Sequence, residues 1–159
     1  MSVWGALAGG LVGAAVFSIG LELSQAVGIT RMDVPLLLGS ALVENRDRAR
    51  ALGYLAHLAI GPLFALVYWA VFAAVGQAGW LFGMVLGAVH AGFFGGPLTN
   101  VLLPAVHPRM GKAWTDASDT PLLEPPGFML TNYGAGTVAV TTVLHLVFGA
   151  IVGAFAAGL

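Results

Sequence analysis

Cysteine is absent from this sequence, which excludes disulfides, thiolate metal sites, iron–sulfur clusters and covalently attached c-type haem. Charge is scarce as well. Asp, Glu, Lys and Arg make up 8% of the residues, against about 25% in ordinary soluble domains. A soluble fold of 159 residues could not clothe its surface with so few charges, so lipid is the expected solvent. The net charge of −1 offers no basic face for a phosphate backbone, and nucleic acid is not expected as a partner. No nucleophile–base pair, phosphate loop or H-E-x-x-H zinc motif occurs, so the expectation is a non-enzymatic protein. The apolar run from Val3 lacks a basic leader and is too long for a signal-peptide core, so no cleavable signal is expected.

What the chain does contain is apolar residues, 58% of the total. A helix needs about 20 of them in succession to cross the hydrocarbon core. Four stretches qualify, from about Val3 to Ile29, Ala51 to Val75, Trp80 to Val106 and Gly136 to Leu159. They predict an all-α, polytopic transmembrane four-helix bundle forming a single domain over 1–159. Only Gly76-Gln77-Ala78-Gly79 separates the second span from the third, which predicts a tight hairpin. The connections 30–50 and 107–135 hold every basic residue: Arg31, Arg46, Arg48 and Arg50 in the first, Arg109 and Lys112 in the second. The positive-inside rule therefore places both connections in the cytoplasm and both termini outside. Trp4, Trp69 and Trp80 fall at the opposite ends of their spans, where an outer aromatic belt belongs.

The two halves share a pattern. Asp33-Val34-Pro35-Leu36-Leu37 and His57-Leu58-Ala59-Ile60-Gly61 are echoed by Asp119-Thr120-Pro121-Leu122-Leu123 and His145-Leu146-Val147-Phe148-Gly149. Asp119 follows Asp33 by 86 residues, and His145 follows His57 by 88. Two tandem two-helix repeats, related by an axis along the membrane normal, would produce this spacing; chance matches in Leu-rich sequence are the alternative. Small residues also recur every four positions: Gly79, Gly83, Gly87, Ala91 and Gly95 in the third span, Gly53, Gly61 and Ala65 beside His57 in the second. The first has Ala6, Gly10, Ala14 and Ser18; the fourth has His145, Gly149, Gly153 and Ala157. Such ridges let helices approach closely in lipid, within one bundle or across a self-association seam.

Ionisable residues at membrane depth are costly and draw attention as functional candidates. At about 1.5 Å per residue, Glu22 lies roughly 10 Å inside the cytoplasmic end of the first span. His57 and His145 share that depth, Gln25, Thr99 and Asn100 could join them, and His90 lies nearer the midplane. An intramembrane polar layer of Glu22, His57, His145, Asn100 and His90 is the expectation. Its plainest role is interhelical hydrogen bonding. A proton relay between Glu22 and a neutral histidine is a second role. No cofactor is expected outright, but His57 and His145 at one depth could ligate a b-type haem, with Gly61 and Gly149 leaving room for the macrocycle. A Glu/His/His set would equally suit a divalent metal such as zinc or iron.

In the connections, Arg46, Arg48 and Arg50 are placed to meet lipid phosphates, and Arg31 and Arg109 to bind an anionic headgroup or substrate. Leu122, Leu123, Phe128 and Met129 are apolar enough to dock back on the bundle. The strings Thr30-Arg31-Met32-Asp33-Val34-Pro35, Arg46-Asp47-Arg48-Ala49, His107-Pro108-Arg109-Met110, Leu123-Glu124-Pro125-Pro126-Gly127-Phe128 and Asn132-Tyr133-Gly134, with His57 and His145, cover most of the chain. In them the sequence resembles an uncharacterised family of small bacterial four-span membrane proteins. The resemblance implies a bacterial cytoplasmic (inner) membrane, with the lipid bilayer as first partner, and no established activity. Family members resemble one another in a Tyr where this chain has Phe148, so no hydroxyl role carries over to that position.

Overall fold

The computed structural model describes residues 1–110 and 123–158. Lys112, and the second D-x-P-L-L copy up to Leu122, lie outside the described residues. Among the described residues there is no strand, only one isolated bridge between Met110 and Leu123. Four helical stretches are long and apolar enough to cross a membrane: Val3–Ala26, Arg46–Val75, Trp80–Val106 and Thr137–Ala157. The chain is thus an all-α four-helix bundle with the character of a multi-pass membrane protein.

Each helix starts and stops for a local reason. Helix α1 (Val3–Ala26) is capped by Ser2, whose hydroxyl accepts from the Gly5 N–H at 3.0 Å. Asp33 caps the short α2 (Val34–Ser40) by accepting from Leu36 N at 2.9 Å, and Pro35 fits its first turn. Helix α3 (Arg46–Val75) begins at Asn45, which accepts from Arg48 N at 3.0 Å. The cap therefore draws Arg46, Arg48 and Arg50 into the helix, five residues ahead of the apolar run that marks the span in sequence. Gly76, in the left-handed region at φ 77°, ends α3, a conformation glycine adopts without steric cost.

The third span is not one regular helix. Helix α4 (Trp80–Phe93) runs into a π-helical segment, Phe94–Leu102, and a last turn, α5 (Leu103–Val106). Pro97 contributes no N–H to this stretch. Asn100 Nδ2 donates to Gly95 O at 2.7 Å and Gly96 O at 2.9 Å, and Thr99 Oγ1 donates to Gly95 O at 3.2 Å. Side chains thus occupy carbonyls that a regular ladder would use, as a widened turn away from water requires. A 3-10 segment, Phe128–Tyr133, then leads into α6 (Thr137–Ala157).

Packing order differs from chain order. Helix α1 lies between α3 and α6, and α6 lies between α1 and α4. The small-residue ridges set these contacts. A Cβ on Gly10 would meet Ala65, Gly61 and Pro62 of α3, while one on Gly9 or Gly13 would meet Phe155 or Phe148 of α6. Gly83 and Gly87 of α4 abut Gly149, Gly153 and the His145 carbonyl of α6 so closely that no side chain fits. The ridges therefore meet one another within one chain. The tight hairpin expected of the second and third spans holds only at its turn. Helices α3 and α4 splay apart below it, because each is drawn to a different glycine face, and aromatic side chains bridge the gap: Phe72–Phe82 ring centroids lie 5.5 Å apart.

Two apolar clusters result. One, with Ala65, Tyr68, Phe72, Phe148 and Val152, fills the bundle toward the α3–α4 turn. The other, with Phe17, Leu21, Met32, Leu37, Met110 and Leu130, joins α1 to the two long connections. Those connections knit together at one end of the bundle. Thr30 and Thr137 hydroxyls lie 2.7 Å apart, Arg31 N donates to Tyr133 O at 2.8 Å, and His107 Nε2 meets Leu37 O at 2.9 Å.

Candidate functional site

Between the two clusters lies a cavity of about 490 Å³, within the range of small-molecule sites. Among the described residues its wall is hydrocarbon and aromatic, apart from three histidines and Thr99. Helix α3 contributes His57, α4 contributes His90 and α6 contributes His145, while α2 closes one end with Val34, Leu37 and Leu38. The opening follows from the splay of α3 and α4. Leu63 and Val67 line the cavity yet are 62% and 58% exposed on the outer surface of α3. Leu63 stands twelve residues before Val75, so the mouth is about 18 Å along the helix from that end. It is a mid-span opening.

Each imidazole is tethered through Nδ1. Ser18 Oγ lies 2.9 Å from His57 Nδ1, Tyr68 Oη lies 3.2 Å from His90 Nδ1, and the Thr141 carbonyl lies 2.7 Å from His145 Nδ1. A carbonyl only accepts, so His145 Nδ1 carries its proton. The rings are clamped by aromatic edges. His90 and His145 centroids are 4.7 Å apart, Phe17 sits 5.4 Å from His57 and 4.9 Å from His145, and Phe64 lies 4.2 Å from His90. Among the described residues no Asp, Glu, Lys or Arg lines the cavity.

The structure divides the polar residues singled out in the sequence. His57, His90 and His145 converge on one cavity, with Thr99. Glu22 does not line it: its carboxylate is exposed and accepts from the Tyr54 hydroxyl, one α1 turn nearer the connections than the Ser18–His57 contact. Helix α1 ends at Ala26, so Glu22 lies about 6 Å from that end, within reach of the headgroup level. Asn100 braces the π-helical segment, and Gln25 donates to Met32 O. The faces of Gly61 and Gly149 are taken by neighbouring helices: Gly10 and Ala14 press on the first, Gly83 and Gly87 on the second. Among the described residues, no group of three or more His, Asp or Glu side chains is placed to hold a metal ion.

The arginines divide too. Arg50 pairs with Asp33 at 2.6 Å, Arg109 with Glu44 at 3.2 Å and Arg31 with Glu124 at 3.4 Å. Arg31 also donates to Asn132 O at 2.5 Å and Arg109 to Ser40 O, so both tie one connection to the other. Arg46 and Arg48 are exposed in the first turn of α3. Tyr133, whose hydroxyl donates to Glu124 O at 2.7 Å, is pushed up to about 12 by burial and by the Glu124 charge, with Arg31 opposing.

Sequence reasoning missed Ser18, Tyr68 and Phe17, which orient the histidines, and the π-helical segment. The last had a signal: Gly95-Gly96-Pro97 inside an apolar span interrupts the ladder. Compared with models of known protein families, with curated proteins and with solved structures, the chain matches none. The functional reading rests on the geometry alone.

Proposed function

We propose that this chain is a non-enzymatic carrier or accessory subunit of the bacterial cytoplasmic membrane that holds a lipid-soluble molecule in the histidine-lined cavity. One observation carries the reading: the cavity opens between α3 and α4 on a mid-span surface, through exposed Leu63 and Val67. In a bilayer that surface meets acyl chains, so a ligand dissolved in the membrane enters without crossing water. The charge distribution supports both connections inside and both termini outside.

Two experiments test this. Organic extracts of the chain purified in mild detergent, read by mass spectrometry, should contain a compound depleted in Leu63→Trp and Val67→Trp, which plug the mouth. No difference between native and plugged chains overturns the reading. So does a Soret band lost in His57→Ala and His145→Ala, which would favour the b-type haem alternative. Orientation is tested with single cysteines, since the chain has none of its own. An impermeant maleimide applied outside should label Ser2→Cys and Gln77→Cys but spare Glu44→Cys; the reverse pattern would invert the topology.

A further inference from the structure

The same cavity carries information about the headgroup of its ligand, an inference that rests on the reading above. We infer that the ligand is a neutral lipid alcohol, with its hydroxyl seated between His145 and His90 and its chain leaving through the mouth beside Leu63 and Val67. The argument is one of unmet hydrogen bonds. With Nδ1 donating to the Thr141 carbonyl, neutral His145 presents a bare lone pair at Nε2. His90 has the opposite polarity. A phenol is the better donor, so Tyr68 donates to Nδ1 and His90 keeps its proton on Nε2. Among the described residues the recorded hydrogen bonds of His90 and His145 go through Nδ1 alone, so neither Nε2 has a partner there, and both rings line the cavity. The cavity therefore offers an acceptor and a donor on rings whose centroids lie 4.7 Å apart.

Ligand classes follow from that pair. A hydroxyl both gives and takes a hydrogen bond, and satisfies both rings at once. A ketone or quinone only accepts, which leaves the His145 lone pair unmet in a hydrocarbon-walled space, a costly arrangement. A carboxylate or phosphate would bury its charge where the described lining supplies no Lys or Arg. A plain hydrocarbon satisfies neither nitrogen. Thr99, whose own proton is committed to Gly95 O, adds only acceptor capacity at the wall, again suited to an O–H.

The test uses three photoreactive probes of equal chain length, each with a mid-chain diazirine: a fatty alcohol, a fatty acid and an alkane. They are added to the native chain in nanodiscs of zwitterionic lipid, and adducts are mapped by mass spectrometry. The alcohol should label the peptides carrying Leu63, Val67 and Leu98 about tenfold more than the alkane, the effect of one to two net hydrogen bonds. It should exceed the acid as well. His145→Phe should bring alcohol labelling down to the alkane's level. The comparison among probes in the native chain needs no variant, so a misfolded His145→Phe leaves it intact. Equal labelling by alcohol and alkane, or preference for the acid, overturns the inference while leaving a lipid-binding cavity. Failure of all three to label the cavity overturns the broader reading instead.

Discussion

Substituting Gly149 by Ala asks whether the α4–α6 contact sets the architecture. The added Cβ would lie 2.8 Å from the Gly83 carbonyl carbon and 3.0 Å from Gly87 N, whereas non-bonded carbon contacts are comfortable at about 3.5–4.0 Å. Every obstructing atom belongs to backbone, so no side chain can swing aside, and α4 and α6 must separate by roughly 1 Å. A gap of that size forfeits a quarter to a half of each affected contact. Overpacking of this kind costs about 1–3 kcal/mol. Ala also favours helix over Gly by about 1 kcal/mol, which would mask part of the loss. Gly92→Ala removes that ambiguity, since nothing lies within 4 Å of a Cβ there. Unfolding of both variants in mixed detergent micelles should separate them by about 1–3 kcal/mol, with Gly149→Ala the weaker. Gly83→Ala strikes the same seam from the other side, and the double variant should lose less than the sum because the helices separate only once. If Gly149→Ala is as stable as Gly92→Ala, the backbone contact is not what holds α4 to α6.

Three further outcomes follow. Asp33→Ala should destabilise the connection end by about 1–2 kcal/mol through loss of the α2 cap, whereas Asp33→Asn should keep the cap and lose only the partly screened Arg50 pair; equal losses in the two would show that the ion pair dominates. Tyr133 titrates near 10 in a free chain and about 12 in the fold, so both states hold the proton below pH 10. Between pH 10 and 12 only the folded state keeps it, and stability falls as pH rises; ultraviolet titration should lose a component near pH 12 in Tyr133→Phe, and loss of a component near pH 10 instead would refute the burial argument. Asn100→Leu removes two hydrogen bonds to the Gly95 and Gly96 carbonyls and should cost about 0.6–2 kcal/mol, with faster amide exchange confined to 94–102; unchanged exchange there would mean that the π-helical segment needs no bracing.

How much of this was legible in the sequence depends on which coordinate is asked for. Position along each helix was readable to within about one turn, because an apolar run has countable ends and a residue's place follows from its distance to them. Direction around a helix axis was readable only as a stripe: the spacing of Gly83, Gly87 and Ala91 marks a smooth face but does not say which neighbour it meets. Here that choice decided the architecture. Because α4 found α6 and α3 found α1, the cavity opened between two helices that a four-residue turn holds together at one end. Partnering between residues was not readable at all until one contact was known. Ser18 and Glu22 share a stripe of α1, and α3 runs antiparallel to it, so once Ser18 meets His57, Glu22 must fall one turn toward the start of α3, where Tyr54 receives it. Depth counting set Glu22 level with the histidines, whereas the helix register carries it out of their reach. An exposed carboxylate near a helix end needs only water and a hydroxyl to be tolerated, and among the described residues the cavity keeps the three imidazoles as its ionisable groups.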